Sequence, residues 1–145
     1  MFLGKFFSQV SKKGRVALPA KFRQETGKKI VITRWYESCL VIVGQAQLDD
    51  LLLRFARKDE VVIRPIRSVE RFILAMAFEV DIDDQGRFVI PPLLREAAKI
   101  KDKVVFLGLG EKIELWNQEL WEKEEAKVKA EAEDMLEALY QRRKR

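Results

Sequence analysis

The chain contains no histidine. That absence removes imidazole acid–base chemistry, Ser-His-Asp triads and the usual zinc ligand sets together. Carboxylate pairs remain, but Asp49-Asp50 and Asp83-Asp84 lack a partner acid or a metal-ligand spacing and read as helix and turn residues. No enzyme, metal or cofactor is expected. A single cysteine, Cys39, excludes an intrachain disulfide; within Ser38-Cys39-Leu40-Val41-Ile42-Val43 it reads as a buried strand thiol. Long hydrophobic runs are also missing. Cys39–Val43 and Val104–Leu109 are strand-length, against the roughly 20 residues a bilayer needs. Nothing resembles a signal peptide, so a cytoplasmic protein is expected.

Acid is nearly absent from the first thirty residues. Glu25 stands alone there against Lys5, Lys12, Lys13, Arg15, Lys21, Arg23, Lys28 and Lys29. The whole chain of 145 residues carries a net charge of +5, so this local imbalance says more than the total. A hydrophobic content of 48% supports a real core, and 35% charged residues support a solvated surface.

What is present is a repeat. Gly14-Arg15-Val16-Ala17-Leu18-Pro19 returns as Gly86-Arg87-Phe88-Val89-Ile90-Pro91, and Arg23 returns as Arg95, each 72 positions on. Two copies at so long a period indicate one duplicated supersecondary unit rather than a solenoid. The copies differ in sign: the second is surrounded by Glu79, Asp81, Asp83, Asp84 and Glu96. The first copy is therefore expected to meet an anionic partner while the second does structural work.

Each copy predicts the same elements in the same order. In the first, Gly14 supplies the turn, Arg15–Leu18 a short strand, and Pro19–Thr26 a helix with Phe22 inward, stopped by Gly27. Ile30–Thr33 and Leu40–Val43 form a hairpin, and Gln45–Arg57 a helix with Leu48, Leu51, Leu52 and Phe55 at helical spacing. A helical or mixed segment covers Val69–Ala77. In the second copy Glu79–Asp83 and Arg87–Ile90 are strands, and Pro91-Pro92 opens a helix to about Ala98. Val104–Leu107 and Ile113–Trp116 form a hairpin around the turn Gly108–Lys112, shifted two residues from the first copy. Trp35 and Tyr36 on the first hairpin can stack on bases or pack in an interface; Trp116 and Trp121 read as core and interface aromatics. From about Gln118 to Arg145 the chain reads as one helix with Val128, Ala132, Met135 and Leu139 on a narrow stripe and a basic end.

The turns carry the functional argument. In Asp83-Asp84-Gln85-Gly86-Arg87 the first acid can accept backbone N–H bonds in an Asx-turn and pair with Arg87. Asp83, Gly86, Arg87 and Pro91 thus read as a structural turn. The first copy has Ser11 in place of Asp83, which leaves Arg15 uncompensated beside Lys12 and Lys13. Such a loop has the donors for phosphate oxygens or for guanine O6 and N7; a solvated basic turn is the alternative. Lys21 and Arg23, flanking Phe22, are counted with Lys12, Lys13 and Arg15 as candidate nucleic-acid contacts.

The paired segments Ser11–Pro19 and Asp83–Pro91 resemble the Asp-x-x-x-Arg signatures of the MraZ family, and Met1–Gly4 and Lys112–Trp116 also look like that family. The resemblance covers the chain to about Trp121; Ser11 departs from the family's Asp. It implies an α+β, mainly β fold: two AbrB-like swapped-hairpin units in one pseudo-symmetric barrel, with a C-terminal helix. The expected division is 1–57 and 79–121 for the units, 58–78 for the connection and 122–145 for the helix. It further implies a nucleoid-associated, sequence-specific transcriptional regulator that binds repeated promoter elements of the bacterial division and cell wall gene cluster as a homo-oligomeric ring. The rival is a ring-forming interaction scaffold with incidental DNA affinity.

Overall fold

The computed structural model describes residues 1–48, 50 and 64–144. Strand β1 (Phe2–Gln9) leads to β2 (Arg15–Ala17) and helix α1 (Ala20–Thr26), then to the hairpin β3 (Lys29–Arg34) and β4 (Leu40–Gly44). Residues 45–48 are helical; the rest of the expected Gln45–Arg57 helix, and Asp49, lie outside the described residues. Helix α2 (Arg64–Ile73) runs into a 3-10 turn at Leu74–Met76. The second copy follows as β5 (Phe78–Asp81), β6 (Arg87–Val89), α3 (Pro92–Ala97), β7 (Lys103–Gly110) and β8 (Ile113–Asn117). Helix α4 (Gln118–Lys144) closes the order.

The fold is antiparallel sheet with helices, α+β as expected. Six strands pair in the order β1-β7-β8-β4-β3-β5, and β2 pairs with β6 in a separate ribbon. Exchanging the two copies turns the six-strand order into its own reverse, so the sheet has a pseudo-two-fold between β8 and β4. The leading strand of each copy pairs with the hairpin of the other: β1 with β7 from Phe2↔Gly110 to Gln9↔Lys103, β5 with β3 from Lys29↔Asp81 to Ile32↔Phe78. Among the described residues the pairing leaves β1 and β5 as edges, and no hydrogen-bonded closure into the expected single barrel is present.

Position 72 residues on is also the equivalent place in the core. Val10 and Ile82, Val16 and Phe88, Leu18 and Ile90, Phe22 and Leu94 all lie in one buried cluster. At about 25 cal/mol per Å² of apolar surface removed from water, this burial is the main drive to fold. The aromatic ring of Phe22 meets Phe2 and Phe6 edge-on, at 5.6 and 5.1 Å between centroids. The other sheet face carries a second cluster of Val31, Trp35, Cys39, Val41, Trp116 and neighbours, against which Leu120 and Trp121 of α4 pack. Burial on both faces explains why β3 and β4 read as continuous apolar runs rather than alternating ones.

Two expectations are corrected. Gly108-Leu109-Gly110 is strand, not turn, because β1 pairs along the full length of β7 and draws those residues into the ladder; only Glu111 and Lys112 remain between the strands. Pro19 is the N-cap of α1 rather than its first residue, with φ −50 and ψ 134, and Pro91 caps α3 in the same way at φ −54 and ψ 134. Among the described residues no helix is long and apolar enough to cross a membrane.

Candidate nucleic-acid interface

The two turns are built alike and differ in one acceptor. In the first, Ser11 N–H donates to Arg15 O and Gly14 N–H to Ser11 O, both at 2.9 Å. In the second, Asp83 N–H donates to Arg87 O and Gly86 N–H to Asp83 O, again both at 2.9 Å. Ser11 Oγ accepts one backbone bond, from Arg15 N at 3.1 Å. Asp83 Oδ1 accepts two, from Gln85 N and Arg87 N at 2.9 Å each. Its Oδ2 lies 3.4 Å from Arg87 Nε. The donated backbone bond from Arg87 leads the causes that hold the Asp83 carboxyl below its ordinary range. Asp83, Gly86 and Arg87 are thus tied together within one turn, and Arg15 has no such acid partner at position 11.

Each motif also closes on the other. Leu18 N–H donates to Gly86 O and Ile90 N–H to Gly14 O, both at 2.9 Å. Both glycines have positive φ, 82° and 80°, which an L side chain rarely adopts. An arginine from the opposite copy lies over each. Arg23 of α1 sits over Gly86 and donates from Nη1 to Gln85 O at 3.1 Å. Arg95 of α3 sits over Gly14. The approach is closer at Gly86, where a Cβ would overlap Arg23 Nη1; at Gly14 it would meet Arg95 Nη1 at 3.0 Å.

Between the turns lies the β2–β6 ribbon, in register Arg15↔Val89, Val16↔Phe88, Ala17↔Arg87. Alternation sends Val16 and Phe88 into the core and leaves Arg15, Ala17, Arg87 and Val89 on the outer face. Beside that face is an open groove of about 530 Å³ lined by Ser8, Gln9, Ser11, Lys12, Lys13, Arg15, Val16, Ala17 and Arg87. Among the described residues that line it, four are basic and none is acidic. The fold therefore brings together Lys12, Lys13 and Arg15 and adds Arg87. Lys21 and Arg23 lie on α1 outside the groove; Lys21 is exposed, and Arg23 is half-buried against the second turn.

The contribution of Arg87 is what sequence reasoning missed. The signal was available: two three-residue strands of identical polarity, one per copy, can pair about a two-fold and present both arginines on one face.

The chain matches the family model described as "MraZ protein, putative antitoxin-like" over residues 1–61 and 73–143. Among curated relatives, "Transcriptional regulator MraZ" of Lactiplantibacillus plantarum is 38% identical over 146 residues, 96% of this chain and 98% of its own length. The protein of the same name from Thermoanaerobacter sp. (strain X514) is 36% identical over 144 residues, 96% of each chain. That from Syntrophomonas wolfei is 38% identical over 144 residues, again 96% of each. A solved structure, "The solution structure of PHS018 from pyrococcus horikoshii", aligns over 79% of this chain and 88% of its own at TM-score 0.33 and 21% identity. The shared name is that of a regulator of transcription and not of an enzyme. With the family model covering both copies of the motif and relatives matching nearly end to end, the chain belongs to the MraZ family.

Proposed function

We propose that this protein is a sequence-specific, DNA-binding regulator of transcription. The observation that carries the reading is the gathering of Lys12, Lys13, Arg15 and Arg87 around one acid-free groove on the β2–β6 ribbon. A two-stranded ribbon fits the major groove of B-DNA. Lys12 and Lys13 neutralise phosphates there, which makes affinity salt-dependent. Arg15 reads a guanine edge through two parallel N–H donors. Arg87, partly held by Asp83, is the weaker second contact. Lys21 extends the basic surface along α1, and Arg23 joins it with one N–H spent on Gln85.

One such ribbon is a weak ligand. The protein acts as a homo-oligomeric ring, in which several ribbons meet repeated promoter elements and effective concentration multiplies weak contacts. The promoter is that of the bacterial division and cell wall gene cluster, and the protein works at the nucleoid. The units are read as swapped hairpins over 1–57 and 79–121, joined by 58–78; the crossed pairing of β1 with β7 and β5 with β3 supports that reading. A second reading, an interaction scaffold with incidental DNA affinity, is favoured by the exposed apolar side chains of α4.

Fluorescence anisotropy on a duplex of that promoter, against a scrambled duplex and at several salt concentrations, separates the two. The regulator prefers the promoter, and Arg15→Ala abolishes the preference in protein whose elution volume is unchanged. Equal, salt-fragile binding to both duplexes sinks the regulator reading and leaves the scaffold.

A further inference from the structure

Helix α4 is tied to the body through its first turns. Asn117 Oδ1 caps it by accepting from Glu119 N at 2.8 Å. Trp121 meets Trp116 at 5.5 Å between ring centroids, and Lys5 Nζ pairs with Glu125 at 2.8 Å. No residue of the helix is buried. From Val128 onward it nevertheless carries an apolar stripe: Val128, Met135, Leu136, Leu139 and Tyr140 are 43 to 66% exposed. The stretch 128–144 is about 25 Å long, and helices in proteins draw most of their stability from packing an apolar face rather than from propensity.

The charges beside the stripe say what covers it. Glu131 and Arg142 are eleven residues apart, three turns, and so lie on one edge; Glu133 and Lys144 share the other edge by the same spacing. Acid stands toward the start of each edge and base toward its end. Arg142 has Ala138 and Leu139 four and three residues before it, so its own helix offers it no acid at pairing distance. Lys144 lies over the Tyr140 ring at 4.7 Å instead. A second α4 laid antiparallel brings base against acid on both edges; a parallel one sets acid on acid and base on base. Glu131 and Glu133 also disfavour an anionic lipid surface or nucleic acid as the occupant.

We infer that α4 is a self-docking surface: helices of two copies of this chain pack antiparallel through the stripe, Met135 of one against Leu139 of the other, with Glu131 and Glu133 facing Arg142 and Lys144 across the seam. The inference is independent of the DNA reading and of the number of copies in a ring, since it joins chains by a face the ribbon does not use.

Disulfide trapping on the full-length purified protein tests it. Cys39 is 1% exposed and burial pushes its thiol well up, so it stays silent as the background. Leu136 lies close to the two-fold of the antiparallel seam, so Leu136→Cys gives a covalent dimer on mild oxidation. Val128→Cys does not, because its two copies stand about 25 Å apart along that seam, far beyond disulfide reach. Mixing Met135→Cys chains with Leu139→Cys chains gives a heterodimer. Adding Arg142→Glu to Leu136→Cys cuts trapping roughly tenfold, and adding Glu131→Arg to that chain restores it. No trapping at Leu136 and none in the 135/139 mixture, with far-UV dichroism unchanged, overturns the inference and assigns the stripe to another protein. A Val128→Cys dimer overturns it in favour of parallel packing.

Discussion

The two copies of the motif share backbone, core positions and ribbon, yet one turn is basic and the other is neutralised. Lys12 and Lys13 with Ser11 stand in the first where Asp84 and Gln85 with Asp83 stand in the second. The difference lies at a single turn acceptor and its two neighbours, all exposed; nothing in the core requires it, since Val16 and Phe88, or Phe22 and Leu94, fill equivalent places. A duplicated unit can thus keep one copy for holding the frame and expose the other's charge to a ligand. The arrangement also couples them. Each turn is covered by an arginine from the other copy's helix, Arg23 over Gly86 and Arg95 over Gly14.

That coupling is unequal, and the glycines measure it. Both Gly→Ala changes force an L residue to positive φ, which costs about 1–2 kcal/mol. At Gly86 the new methyl also displaces Arg23 and breaks its bond to Gln85 O, adding about 1 kcal/mol. Urea denaturation should therefore rank Gly86→Ala at about 2–3 kcal/mol of lost stability and Gly14→Ala at about 1–2. Equal losses would break the claim that Arg23 is the tighter of the two clamps.

The next largest contrast is in binding. Arg15→Ala should weaken promoter affinity roughly 10- to 100-fold, the worth of one bidentate base contact. Arg87→Ala should weaken it less, because Asp83 at 3.4 Å already offsets its charge. Anisotropy titrations of the two variants beside wild type decide this. A larger loss at Arg87 would reverse the division of labour between the copies.

Much of this was legible in the residues. The 72-residue period fixed which positions are equivalent, and Arg15–Leu18 and Arg87–Ile90 read as short strands. The β-branched runs Ile30–Thr33 and Leu40–Val43 marked the hairpin of β3 and β4. The site was half legible: Ser11 against Asp83 separated a basic turn from a neutralised one, and the sequence grouped Lys12, Lys13 and Arg15. What it did not carry were non-local pairings. Nothing local in Gly108-Leu109-Gly110 tells that β1 will hold those residues in a ladder. Nothing near Arg23 shows that its guanidinium reaches a carbonyl 62 residues away. The same limit hid Arg87, whose neighbours in sequence are acidic while its neighbours across the ribbon belong to the first copy.

Exchanging the acceptors sharpens the comparison without touching the core. Ser11→Asp should set an acid against Arg15 as Asp83 is set against Arg87, lowering promoter affinity and reducing the salt slope of binding by about one. A steeper slope would refute it. Asp83→Ser should remove a pH dependence. The folded Asp83 carboxyl is held below its ordinary range, chiefly by the backbone N–H of Arg87. Its stabilisation is therefore present above the unfolded value and lost as pH falls through the lower folded value. Urea midpoints followed from neutral pH down past the ordinary aspartate range should fall less steeply in Asp83→Ser than in wild type. An unchanged acid limb would remove Asp83 from the account.

The smallest expected effect lies where the copies stop superposing. Gly27 ends α1 at φ 71 and ψ −153, and its equivalent 72 positions on is Lys99, at φ 53. The second helix ends differently because two more residues follow before β7. Lys99 N–H donates to Glu96 O at 3.1 Å and Ile100 N–H to Arg95 O at 2.9 Å, with Ile100 and Leu94 both in the main core. These are the bonds of a Schellman cap, whose left-handed position favours glycine. Lys99 contributes its backbone carbonyl, which accepts from Asn117 Nδ2 at 2.6 Å, and that bond survives a change of side chain. Lys99→Gly relieves the left-handed strain of about 1–2 kcal/mol but frees the unfolded chain by about 0.5–1. The net is a gain of about 0.5 kcal/mol, seen as a small rise in the urea midpoint at unchanged slope. A loss of stability instead would mean that the Lys99 side chain, and not the cap geometry, is what the second copy needs at this helix end.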